Sequence, residues 1–82
     1  MRLDKYLKIS RLIKRRTVAN EMCDRGRVKI NDKVAKASVE VKVGDIIEIG
    51  FGEKATKVEV LEIAEHMSKE GASGMYEIRG EK

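Results

Sequence analysis

Apolar residues fall at a spacing of three and four along the first 25 positions, and at a spacing of two after Gly26. That change of period divides the chain into a helical part and a strand part. Residues 2–10 read as a helix: at about 100° per residue, Leu3, Tyr6 and Leu7 share one face, with Ser10 between them. Arg2, Lys5, Lys8 and Arg11 follow one another at i+3 around the other side. In "SRLIKRRTVANE" the pattern breaks, because Lys14, Arg15 and Arg16 follow Leu12 and Ile13 without interruption. Thr17 reads as the N-cap of a second helix reaching about Arg25, its hydroxyl accepting from a first-turn amide. Val18 with Met22, and Ala19 with Cys23, pair at i+4 and give that helix its buried side. Gly26 suits the left-handed position just past its end.

"RVKIN" alternates, with Val28 and Ile30 on one face and Arg27 and Lys29 on the other. Asn31-Asp32 is a turn signal, and "KVAKAS" follows as a second short strand or extended piece. A turn at Val43-Gly44-Asp45 precedes a strand through Ile46, Ile47 and Ile49. "ATKVEVLEI" alternates longest, with Val58, Val60 and Ile63 inward and Lys57, Glu59 and Glu62 outward. "HMSKEGASG" reads as a polar loop, expected to be mobile, and "MYEIR" as a last strand. The expected fold class is α+β: two N-terminal helices packed on a small, mostly antiparallel sheet. The expected organisation is a single domain over residues 1–82, with a core motif at about 1–50 and C-terminal strands at 54–80.

With 82 residues, a chain of this size buries a modest core and has little room for a catalytic cleft with a lid. It has no apolar run long enough for a membrane span. Its opening, "MRLDKYLK", lacks the apolar centre of a secretory signal, so a cytoplasmic location is expected. The single cysteine, Cys23, excludes an intramolecular disulfide and a cysteine-based zinc cage. Charge is unevenly placed. Residues 1–36 hold 12 Lys and Arg against 4 Asp and Glu, whereas residues 37–82 hold 6 against 10. A basic half of this density points to a polyanionic partner, nucleic acid before membrane.

Signals for catalysis are poor. His66 is the sole histidine, and no motif places a nucleophile near it. "GFGEK" lacks the spacing and following helix of a phosphate loop and reads as a turn between strands. Cys23 reads as a small core residue. No metal-ligand cluster is apparent, so no catalytic residue, metal or cofactor is assigned. What rises above background is a basic constellation: Arg2, Lys5 and Lys8 on one helix, Arg11, Lys14, Arg15 and Arg16 at the junction, and Arg27 and Lys29 on the following strand. The second helix adds the partial positive charge of its N-terminus. Arginine suits such a site because its planar fork grips phosphate oxygens in pairs. Tyr6, Phe51 and Tyr76 are the only aromatics, which argues against a stacking platform for single-stranded bases. Recognition by backbone and shape, as in structured RNA, is expected.

The stretch "MRLDKYLKISRLIKRRTVANEMCDRGRVKINDKVAKAS", followed by "VKVGDIIEI", resembles the alpha-L RNA-binding domain first described in small-subunit ribosomal protein S-four. Within it, the opening "MRLDKYLKISRLIKRRT" and the late "MYEI" resemble the stand-alone quality-control branch, the RqcP family. The resemblance implies a non-enzymatic protein that binds the large ribosomal subunit left with peptidyl-tRNA after a stalled ribosome splits. It implies contact with large-subunit rRNA and tRNA, and support of template-free alanine addition beside an RqcH-like factor. Carried over by position, it makes Arg2, Lys5, Arg11, Lys14, Arg15 and Arg16 the RNA contacts, Arg2 and Arg16 foremost. It makes Leu3, Leu7, Val18, Met22, Val28 and Ile30 the core behind them. Tyr6 stands where the family would have Phe or Trp, so its hydroxyl needs a partner or an exposed edge.

Four other readings compete, one of them a purely structural ribosomal protein, which would be present at one copy per ribosome. A ribosome-binding heat-shock protein shares the same domain. A small DNA-binding protein would fit two helices and a turn, but Glu21 and Asp24 on the second helix would repel DNA. RNA-modifying enzymes carry similar domains, but no catalytic aspartate motif follows here. The expected state is a monomer.

Overall fold

The computed structural model describes residues 1–81, the side chain of Glu81 excepted. Helix α1 is Leu3–Ile9. Leu3, Tyr6, Leu7 and Ser10 are fully buried, so the apolar face read from the spacing is the one that enters the core. The start of α1 is tied down by the backbone of a later segment. Leu3 N–H donates to Val39 C=O (2.8 Å), Asp4 N–H to Ala37 C=O (3.2 Å) and Val41 N–H to Met1 C=O (2.8 Å).

Helix α2 is Arg16–Asp24. Its N-cap is Arg15, in extended conformation, and not Thr17, which lies inside the first turn. The start is set by a tertiary contact instead of a hydroxyl: Arg16 reaches Asp4 of α1 from the first helical position. The helix closes with a Schellman motif. Gly26 N–H donates to Cys23 C=O (2.9 Å) and Arg27 N–H to Met22 C=O (3.0 Å), with Gly26 at φ 72°. The buried face is Ala19 and Cys23, small residues that let α1 and α2 approach. Val18 is 40% exposed, contrary to its expected core role, because it lies about 100° from Ala19 around the helix. Met22 and Ile30 are half-buried at the core's edge.

Five antiparallel strands follow in the order β2-β1-β3-β4-β5. They are β1 (Val28–Ile30), β2 (Lys33–Val34), β3 (Ile46–Phe51), β4 (Lys54–Val60) and β5 (Tyr76–Glu81). The β1–β2 turn is Asn31-Asp32, at φ 50° and 69°, the paired left-handed geometry that two-residue hairpins require. Gly52-Glu53 also turns β3 into β4 in two residues, with only Gly52 left-handed, at φ 65°. Val28, Ile47, Ile49, Val58 and Val60 are buried against the helices. Between them, Lys29, Glu48 and Lys57 stand in register on the opposite face.

The stretch expected to be a mobile polar loop is instead a structured turn. Helix α3 (Lys69–Ala72) runs into a 3₁₀ turn, Ser73–Met75. Ser68 Oγ accepts from Gly71 N–H (3.1 Å), capping it. Ala72 and Met75 are buried, so apolar anchoring at two positions overrides the polar composition between them. Tyr6 Oη donates to Met75 C=O at 2.8 Å, the internal partner its hydroxyl required. Burial, with Tyr76 nearby, pushes that phenol well above its ordinary range.

Candidate nucleic-acid interface

The basic side chains of α1 and the junction project into an open cleft of about 760 Å³. Lys5, Lys8 and Ile9 of α1 form one side, and Arg11, Lys14 and Arg16 continue it through the junction. The facing wall is Glu65, His66, Met67 and Lys69. That wall comes from the far end of the chain and is held in place by the Tyr6–Met75 hydrogen bond and the buried Ala72. Sequence reasoning missed this wall. The capping signature of Ser68 two residues before an acid was the available signal for the turn that positions it.

The junction is anchored from beneath. Ile13 is buried, and its N–H donates to Leu7 C=O (3.1 Å), so Lys14, Arg15 and Arg16 are turned outward. Arg11 occupies the left-handed position after α1 at φ 63°. Its N–H donates to Lys8 C=O (3.1 Å), in the manner usually given to glycine. An arginine held in that conformation carries a steric cost that a glycine would avoid. No side chain caps α2, and no acid lies in its first turn, so the partial positive charge of its first amides faces the junction unneutralised.

Arg2 and Arg16, expected as the foremost RNA contacts, converge on one buried carboxylate. Asp4 has a side chain only 3% exposed. Its oxygens accept from Arg2 Nε (3.2 Å), Lys5 N–H (2.8 Å), Arg16 Nη2 (3.5 Å) and Asn20 Nδ2 (3.3 Å). Burial alone would raise its pKa, but the hydrogen bonds from Arg16, Asn20 and Lys5 N–H and the Arg16 charge outweigh that and hold it below the usual carboxylate value. Asp4 therefore works as a fixed pivot: it orients both guanidiniums while leaving them half-exposed, at 51% and 46%. Nothing in the pattern of charges marked it, because a lone acid on a basic helix reads as an ordinary first-turn residue.

The remaining expected contacts are dispersed. Arg15 is exposed at the α2 N-cap, outside the lining of the cleft. Arg27 lies with Arg25 and Phe51 in a separate, shallower groove between α2 and the β3–β4 hairpin. Lys29 stands on the sheet face away from the helices and is not brought to the basic cleft. Cys23 is buried, and burial first, then Asp4 and Asp24, pushes its thiol up to about 11, which leaves it unreactive at neutral pH. No group of three or more His, Cys, Asp or Glu that could hold a metal occurs among the described residues. No helix among them is long and apolar enough to cross a membrane.

Residues 1–47 match the S4 domain family. The chain is 58% identical over 81 residues to the RQC P-site tRNA stabilizing factor of Streptococcus pneumoniae, covering 99% of this chain and 92% of the relative. It is 52% identical over 82 residues to the protein of that name from Bacillus subtilis, covering 100% and 95%. The structure superposes on heat shock protein 15 of Vibrio cholerae, solved as a trimer, with a TM-score of 0.88 and 29% identity, covering 95% of this chain and 80% of that one.

Proposed function

The chain belongs to the S4 domain family and, within it, to the RQC P-site tRNA stabilizing factors; on that premise, we propose that it is a non-enzymatic ribosome-associated quality-control factor. It binds rRNA and tRNA on the obstructed large subunit, in the cytoplasm. By holding the peptidyl-tRNA there it supports C-terminal alanine tailing of the stalled chain, beside an RqcH-like factor. It acts as a monomer.

The observation that carries this reading is the cleft itself. Lys5, Lys8, Arg11, Lys14, Arg16 and Lys69 surround one open channel. A channel with that lining has the charge to follow a phosphate backbone. Repulsion among these cations is relieved when RNA arrives and its counterions leave. The buried Asp4 pivot fits the same role, since a backbone-reading site needs guanidiniums held at fixed angles.

The test is capture of tagged protein from cells with stalled translation, followed by sizing of the bound RNA. Large-subunit rRNA with tRNA, and without small-subunit rRNA, is the expected result, and Arg16→Ala should lose most of it while remaining folded. Small-subunit rRNA or genomic DNA instead would reject the assigned pathway.

A further inference from the structure

Among the residues that line the basic cleft, one is a carboxylate, Glu65. It sits on the wall facing α1 and makes an ion pair and hydrogen bond with Lys5 Nζ across 60 residues of sequence. The pair is at the surface, Lys5 being 35% and Glu65 67% exposed. Its wall is held by the Tyr6–Met75 bond, so Glu65 is delivered to Lys5 by the fold and not by a neighbouring helical turn. The hydrogen bond and charge of Lys5 hold the Glu65 carboxyl below the usual carboxylate range. Nearby Glu62 and Glu70 are exposed and make no ion pair among the described residues.

A phosphate that approaches Lys5 therefore finds the ammonium already engaged by an anion. We propose that Glu65 is an internal phosphate surrogate: it occupies Lys5 until RNA phosphates displace it, and so favours RNAs that engage the whole cleft over those that touch it loosely. This rests on the RNA-binding reading of the cleft. An RNA that also reaches Arg11, Lys14, Arg16 and Lys69 offsets the lost Lys5–Glu65 pair with its other contacts. A flexible strand making one or two contacts does not. The exchange also has a signature in salt. Swapping Glu65 for phosphate releases little net counterion at Lys5, whereas an uncovered Lys5 adds a full phosphate contact.

The experiment compares the intact protein with Glu65→Gln, Lys5→Gln, the double variant and Glu62→Gln. Binding of deacylated tRNA and of a 20-nucleotide oligouridine is measured at several salt concentrations, with circular dichroism confirming the fold. Glu65→Gln should tighten oligouridine binding roughly two- to five-fold, the weight of one surface ion pair. It should steepen the salt slope by about 0.7 and narrow the preference for tRNA. It should change nothing further in the Lys5→Gln background, and Glu62→Gln should change little. Affinity unmoved by Glu65→Gln, an equal gain without Lys5, or an equal gain from Glu62→Gln would each overturn the surrogate while leaving the cleft as an RNA site. If instead the intact protein and Glu65→Gln both fail to bind tRNA, the reading of the cleft falls, and the proposal with it.

Discussion

Arg11 is the position where folding and binding are most directly opposed. At φ 63° it sits where a side chain with a Cβ costs about 1–2 kcal/mol relative to glycine. Replacing it with glycine removes that cost but loosens the unfolded chain by about 0.5–1 kcal/mol. The net expectation for Arg11→Gly is a gain of between zero and about 1.5 kcal/mol, with relief of repulsion from Lys8 and Lys14 adding to it. For a domain of this size, 1 kcal/mol moves Tm by about 4–8 °C. The same substitution removes one cation from the cleft. Binding of tRNA should weaken, and its salt slope should flatten by about 0.7–0.9. Arg11→Ala separates the two effects: it deletes the charge but keeps the strained backbone, so it should bind as weakly as glycine and melt below it. Thermal melts followed by circular dichroism, with fluorescence anisotropy across a salt series, read both quantities. A glycine variant that melts no higher than alanine would refute the strain argument. Unchanged tRNA affinity in both would refute the placement of Arg11 in the interface.

Tyr6→Phe should cost only about 0.5–1.5 kcal/mol by urea denaturation, because Met75 C=O keeps the amides of Leu61 (2.8 Å) and Glu62 (3.1 Å) after the hydroxyl is gone. Asp4, whose pKa is lowered on folding, contributes its charge-dependent stability in full above the unfolded value near 3.8 and loses it as pH falls through its lower folded value. Urea midpoints measured from pH 5 downward should therefore show a shallower acid loss in Asp4→Asn than in the intact protein. Lys69→Ala should weaken tRNA binding and flatten the salt slope by about 0.7–0.9, whereas Lys29→Ala should change neither, as the two lie on the cleft wall and on the far sheet face. Gly26→Ala should destabilise by about 1–2 kcal/mol, since φ 72° is required by the Schellman closure of α2.

Local chemistry made most of the fold legible. Leu3, Tyr6 and Leu7 at helical spacing, Gly26 after the last turn of α2, and Asn31-Asp32 between alternating runs each state their geometry within a few residues. The expected hairpins formed where those signals stood. What was illegible is what depends on distant parts of the chain. The start of α2 is settled by Arg16 meeting Asp4 across the helix pair, and no cap rule applied to Thr17 contains that information. The polar stretch after His66 is ordered because Ala72 and Met75 are buried and Met75 C=O accepts from Tyr6, 69 residues earlier. For the same reason the basic constellation was assembled only in part. Lys5, Lys8, Arg11, Lys14 and Arg16, gathered by one helix and the junction after it, line the same cleft, whereas Arg2 and Arg15 from the same segment do not. Lys29 is close to them in sequence, but strand alternation opposite Glu48 sends it to the other face of the sheet. Lys69 is more than fifty residues from Arg16, but the Tyr6 tether brings its segment across α1. Proximity in sequence therefore identified the cations that one helix turn can gather, and the closing wall, with Glu65 on it, exists only once the C-terminal turn has docked.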